Sequence, residues 1–166
     1  MNYKTIFGYA VPSEHGKLLE SLIGDGSSAL KIVQIGAGYG RLTALWTEIL
    51  KRENRKYDYV VIDSYADKDE QIAESYCREA LANHATAAKL VVKDPIKAAS
   101  EQADGSLDIV YLDLKPGAHV KAIIQAWLPK LKASGVLCGN NPECCDESEV
   151  VFNTQWKYKA KKSKAI

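Results

Sequence analysis

The sequence predicts a doubly wound α/β domain, a mostly parallel sheet with helices on both faces. Two observations carry that prediction. Short apolar runs rich in β-branched residues alternate with segments whose apolar residues recur at helical spacing. The connecting segments are also long enough to cross over the sheet and return in parallel. A length of 166 residues, with 46% hydrophobic and 26% charged residues, fits one globular domain spanning 1–166.

Each element follows from its local pattern. Leu18, Leu19, Leu22 and Ile23 fall at helical offsets within Glu14 to Ile23, and Gly24-Asp25-Gly26-Ser27-Ser28 closes that segment as a turn. Leu30 to Ile35 is a short β-branched run and reads as the first strand. Leu42, Leu45, Trp46, Ile49 and Leu50 then share one helix face within Arg41 to Arg52. Tyr57 to Ile62, ended by Asp63, suits a buried strand, and Lys68 to His84 a half-exposed helix. Lys89 to Val92 gives the third strand, with Pro95 placed for the first turn of a helix through Gln102. Leu107 to Leu112 is the fourth strand. Val120, Ile123, Ile124, Trp127, Leu128 and Leu131 make the cleanest amphipathic helix, and Gly135 to Cys138 the fifth strand. Val150 to Phe152 and Thr154 to Tyr158 are expected to pair antiparallel at the end, before a lysine-rich tail from about 157. Trp46 and Trp127 read as core, and Trp156 as packing for the closing strand.

Composition narrows the function classes. A net charge of +1 removes the general electrostatic case for nucleic-acid binding, and the lysine tail reads as a solvated end. No apolar run approaches the ~18 residues of a membrane span, and Ile6 to Val11 is too short for a signal peptide. The four cysteines, Cys77, Cys138, Cys144 and Cys145, match neither a disulfide framework nor a zinc knuckle. Free thiols and a cytoplasmic location are expected.

In a doubly wound sheet, ligands bind beyond the carboxyl ends of the strands where the strand order reverses. After the first strand the chain reads Gly36-Ala37-Gly38-Tyr39-Gly40-Arg41. Alternate glycines allow a tight turn and close backbone approach, and the following helix presents free N–H groups. Asp63 closes the next strand, where an ionised carboxylate can accept from ribose hydroxyls or cap a helix. The dinucleotide pattern GxGxxG would need its third glycine at Arg41, which argues against a nicotinamide cofactor.

With these motifs in place, the chain resembles the class I S-adenosylmethionine-dependent methyltransferases, from about Tyr9 to Asn141. The resemblance is carried by Val33 to Gly40, by Val61-Ile62-Asp63-Ser64-Tyr65, and by Gly105 to Asp113. Ala126 to Leu131 and Ser134 to Leu137 add a likeness to the small-molecule O-methyltransferase branch, similar to catechol and sugar O-methyltransferases. It implies a Rossmann-like fold, S-adenosylmethionine as cofactor, and methyl transfer to a hydroxyl of a small acceptor. The implied cofactor site comprises Gln34, Gly36, Ala37, Gly38, Tyr39, Gly40, Asp63, Ser64, Asp94 and Asp113. Asp94 would read the adenine amino group, and Asp113 would stand at the mouth of the catalytic cleft.

The sequence departs from the family in three places. Gln34 stands where an acid usually lies near the cofactor's amino group. Metal-dependent relatives would put a divalent cation on Asp113, Asn140 and Asn141; one charge among three ligands is a poor Mg²⁺ site, and the balance falls against a metal. Pro116 occupies the usual position of the base, leaving Lys115 and His119, with Asp113, as catalytic candidates. Gly139-Asn140-Asn141-Pro142 is also strong turn chemistry by itself.

With 25 residues beyond Asn141 and a short N-terminal segment, no helical cap over the acceptor site is expected. A homodimer or a partner protein would then complete that site. The rival reading is a catalytically degenerate methyltransferase-like binding module acting through a protein partner, favoured by Gln34, Pro116 and the uncharged asparagines.

Overall fold

A computed structural model describes residues 3–24, 26, 28–66, 68–146 and 148–158. The lysine tail beyond Tyr158 lies outside the described residues. Seven strands form one sheet: β1 (Leu30–Ile35), β2 (Tyr57–Asp63), β3 (Ala88–Val92), β4 (Leu107–Leu112), β5 (Leu131–Asn140), β6 (Ser148–Phe152) and β7 (Gln155–Tyr158). Their order is β3-β2-β1-β4-β5-β7-β6. The first five run parallel, while β7 pairs antiparallel with both β5 and β6. The order reverses between β1 and β4, which places the ligand crevice beyond Ile35 and Leu112.

Helices cover both faces, as the alternation predicts. α1 (Lys17–Leu22), α2 (Arg41–Arg52) and α3 (Lys68–His84) pack on one side with Ile32, Tyr59, Val61, Ile109 and Tyr111. α4 (Pro95–Ser100) and α5 (Ala118–Trp127) cover the other with Val33, Ile35, Val110 and Leu112. Period-two alternation thus sends neighbouring residues of each strand into two separate cores. Trp46, Trp127 and Trp156 are all buried, and each indole N–H donates to a backbone carbonyl, of His15, Pro95 and Asn140 respectively.

Several boundaries differ from the sequence expectation, among them the end of α4 at Ser100 rather than Gln102 and the start of β6 at Ser148 rather than Val150. Leu131, counted with the amphipathic helix, instead opens β5 opposite Leu107. α5 stops at Trp127 and a 3-10 turn spans Leu128–Lys130, because Pro129 lacks an N–H and disfavours helix before it. The first helical segment likewise begins with a π turn at Pro12–Gly16 before α1. All four cysteines are free thiols. Among the described residues, no helix is long and apolar enough to cross a membrane.

Candidate active site

A cleft of about 820 Å³ lies beyond the strand ends, at the reversal point. One half of it is built by the glycine loop after β1, the turn after β2 and the start of α4. Gly36, Gly38, Tyr39, Asp63, Ser64 and Asp94 of the expected site all line it.

The glycines do different work. Gly36 has φ +93°, and a Cβ there would stand 2.2 Å from the Asp113 carbonyl oxygen, so β1 and β4 can meet only across a glycine. Gly38, at φ +48°, has nothing within 4 Å of a Cβ position. Its backbone is therefore open for a ligand to approach. Gly40 does not line the cleft: a Cβ there would meet Leu81, Ala80 and Cys77, so this glycine admits α3 against α2. Ala37 is buried and reaches the site only through its N–H.

Asp63 braces the loop. Its Oδ2 accepts from the N–H groups of Ala37 (2.7 Å) and Gly38 (3.3 Å), and Oδ1 from the N–H of Tyr65 (3.1 Å). A carboxylate has about four acceptor positions, so about one remains for a ligand. Helix capping is not its role, since α3 begins at Lys68. Asp94 does cap a helix: its Oδ1 accepts from Ile96 and Lys97 N–H, 3.0 and 2.9 Å away. Its other oxygen has no protein partner among the described residues.

Gln34 is not in the cleft. It is fully buried, donates from Nε2 to the Gly36 carbonyl at 2.7 Å, and accepts at Oε1 from the hydroxyls of Thr43 and Tyr59. An amide suits this position because at neutral pH it both donates to Gly36 and accepts from two hydroxyls. A carboxylate would oppose the Gly36 carbonyl. The neutral residue that looked like a functional loss thus acts through Gly36.

The other half comes from the ends of β4 and β5 and from α5. Asp113, Leu114, Lys115, His119, Ile123 and Asn141 line it. Asp113 is half-buried, and burial pushes its carboxyl up to about 6; a hydrogen bond from Asn140 opposes the shift and the charge of Asp63 adds to it. Lys115 and His119 are exposed at the rim. Asn141 adopts φ +60° and donates from Nδ2 to the Leu114 carbonyl at 3.0 Å. Asn140 lies behind the cleft, accepting from Gln155 Nε2 at 3.2 Å. Both asparagines thus spend side-chain atoms on protein partners, and among the described residues no group of three or more His, Cys, Asp and Glu could hold a metal ion.

Tyr65 is a lining residue that the sequence pattern does not single out. It folds back at φ +45°, is buried, lines the cleft, and donates from its hydroxyl to the Gly38 carbonyl at 2.9 Å. Its place two residues after the strand-ending acid was visible, but its left-handed backbone was not.

A family profile described as a methyltransferase domain matches residues 33–141, the stretch that carries the glycine loop, Asp63, Asp94, Asp113 and Asn141. The chain belongs to the methyltransferase-domain family. No curated protein matches its sequence. Among solved structures, this methyltransferase domain is similar to a protein assigned as a caffeoyl-CoA O-methyltransferase from Staphylococcus aureus, with 14% identity and a TM-score of 0.62, over 83% of this chain and 61% of that one. It is also similar to CalS11, a TDP-rhamnose 3′-O-methyltransferase of calicheamicin biosynthesis, with 18% identity and a TM-score of 0.56, over 75% and 59% of the two chains. The trans-methyltransferase CalH, solved with S-adenosylhomocysteine, aligns with 20% identity and a TM-score of 0.56, over 75% and 35%. The chain spans about three fifths of the length of the first two. At these identities the likeness is one of fold.

Proposed function

We propose that this domain binds S-adenosylmethionine in the cleft and directs its methyl group to a hydroxyl of a small molecule. The observation that carries this reading is the open backbone of Gly38 beside Asp63, at the reversal point of a methyltransferase-family sheet. Two structural relatives described as O-methyltransferases and one solved with S-adenosylhomocysteine support the same class of chemistry.

The residues fit the cofactor. Asp63, Glu70, Asp94 and Asp113 line the cleft with carboxylates, which suits a ligand carrying a sulfonium and an ammonium. Asp63 has one acceptor position for a ribose hydroxyl, and Asp94 one free oxygen for an adenine amino group. When bound, the cofactor supplies a methyl group already activated by its sulfonium. What remains for the chain is alignment, exclusion of water and care of one proton.

Asp113 takes that proton. A carboxylate raised to about 6 is ionised at neutral pH yet more basic than an ordinary aspartate, which is the range a general base needs. Leu114 and Ile123 flank it with apolar surface. Lys115 and His119 stand further out, and the exposed rim leaves room for a second copy of the chain or a partner protein as cover. Calorimetric titration with S-adenosylmethionine, S-adenosylhomocysteine and NADH, with and without Mg²⁺, tests the reading. Binding of the first two alone supports it; binding of none moves the domain to a partner-binding role.

A further inference from the structure

The charges of the cleft are sorted by element. Asp63, Glu70 and Asp94 sit on the half built from β2, α3 and α4, with Asp113 at the junction. Lys115 and His119, the only basic side chains among its described lining, both follow β4. Three lysines elsewhere in the sheet region are neutralised by partners: Lys93 by Glu101, Lys130 by Asp104 and Lys132 by Asp108. Among the described residues, Lys115 and His119 have no such ion pair, and α5 brings no acid in its first turn. Two donors of positive or neutral charge therefore face a ligand space with no local carboxylate beyond Asp113.

We infer that the acceptor is a hydroxylated anion, with a carboxylate or phosphate held by Lys115 and His119 near the hydroxyl that is methylated. This rests on the methyl-transfer reading above and names its substrate class. The geometry divides the labour in the cleft. A cationic cofactor meets the acids of the β2 and α4 half, an anionic group meets Lys115 and His119, and the hydroxyl between them faces Asp113. In the transfer, the hydroxyl oxygen bonds to the methyl carbon as the carbon–sulfur bond breaks, the sulfonium becomes a neutral thioether, and the hydroxyl proton goes to Asp113. Neither Lys115 nor His119 then needs to act as the base. Leu114 and Ile123 provide the apolar wall against which the body of such an acceptor lies.

The test is a pair of titrations on protein saturated with S-adenosylhomocysteine. 3-Hydroxybenzoate and 3-hydroxybenzamide match in size and hydroxyl placement and differ in charge. The benzoate is expected to bind about tenfold tighter, the worth of one charge-assisted hydrogen bond at a partly exposed site, with the preference shrinking as salt is added. In a Lys115→Ala/His119→Ala variant the two probes should bind within about twofold of each other. That variant's affinity for S-adenosylhomocysteine reports whether it is folded, and single Lys115→Ala and His119→Ala variants serve where it is not. 3-Hydroxyphenyl phosphate, run beside the benzoate, separates a phosphate from a carboxylate preference. Equal affinity for benzoate and benzamide in the parent protein overturns the inference, as does a preference that survives the substitutions. The same titrations without S-adenosylhomocysteine read the basic half by itself, so a failure of cofactor binding sinks the cofactor reading and leaves the anion preference separately decided.

Discussion

Replacing Asp113 by asparagine should stabilise the fold at alkaline pH. Burial holds the carboxyl at about 6 in the folded chain, against 3.8 for the free side chain. For a native pKa that is raised, the group's contribution is complete below the unfolded value and is lost as pH rises through the folded one. Ionised Asp113 therefore penalises the native state at pH 8. Two pKa units at ~1.36 kcal/mol each set a ceiling of about 3 kcal/mol. Asparagine keeps the shape and a carbonyl oxygen that can accept from Asn140, but its NH₂ needs a partner of its own. A gain of about 1–3 kcal/mol at pH 8 is expected, falling to about 0.5 kcal/mol or less at pH 4. Urea unfolding at the two pH values measures both. An unchanged midpoint at pH 8, or an equal gain at both pH values, refutes the reasoning. The same substitution should abolish assistance to methyl transfer, so stability would rise where function falls.

Gln34→Glu should cost about 3 kcal/mol at pH 7, because a buried carboxylate would face the Gly36 carbonyl, and should recover part of it at pH 4.5, where a protonated acid can donate; thermal melts at both pH values check this, and a loss independent of pH would contradict it. Gly36→Ala should cost about 3 kcal/mol or more through its clash with Asp113, whereas Gly38→Ala should cost only about 1 kcal/mol of backbone strain while weakening cofactor binding. Similar unfolding midpoints for the two variants would show that the loop is not built as described. Asp63→Ala should reduce S-adenosylhomocysteine affinity by about 1.5–3 kcal/mol in calorimetry, and an unchanged affinity would remove Asp63 from the site. His15 is buried and its pKa is lowered, chiefly by desolvation, so its contribution is complete above 6.5 and is lost as pH falls through the folded value. His15→Gln should accordingly flatten the acid side of the stability profile; an identical slope would count against a buried neutral imidazole.

Local pattern was enough where one periodicity dominated. Leu30–Ile35, Arg41–Arg52 and Leu107–Leu112 have the bounds their apolar spacing and nearby glycines set, and Lys68–His84 the bounds of its apolar spacing alone. Leu131 misled because its helical offset from Val120 is real, yet pairing with Leu107 across the sheet outweighs it. In the site, residue types and spacing located the crevice but not the use of each atom. Gly36, Gly38 and Gly40 look equivalent in sequence, and only the packing of Asp113 and α3 tells them apart. Gln34 reads as a lost charge until Thr43 and Tyr59 are seen to donate to it. These are long-range contacts, which no local window contains.

The family match covers residues 33–141, yet the site depends on segments outside it. Glu14 accepts from Asn153 Nδ2 and Thr154 Oγ1, both at 2.9 Å, so the turn before α1 clamps the turn between β6 and β7. Just beneath, Val11 N–H donates to His15 Nδ1, and His15 Nε2 meets Gln155 Nε2 at 3.4 Å. Gln155 in turn donates to Asn140, accepts from the Tyr111 hydroxyl at 2.7 Å, and so fixes the amide that hydrogen-bonds Asp113. A buried polar chain thus runs from the N-terminal turn through the closing strand to the proposed base. Its central members, His15 and Gln155, are fully buried in a low-dielectric interior, where an unpaired group is costly and a satisfied one is rigid. The closing hairpin therefore backs the cleft without lining it: β7 covers the β5 edge of the parallel strands with Trp156 and, through Gln155, holds the Asn140 amide behind Asp113.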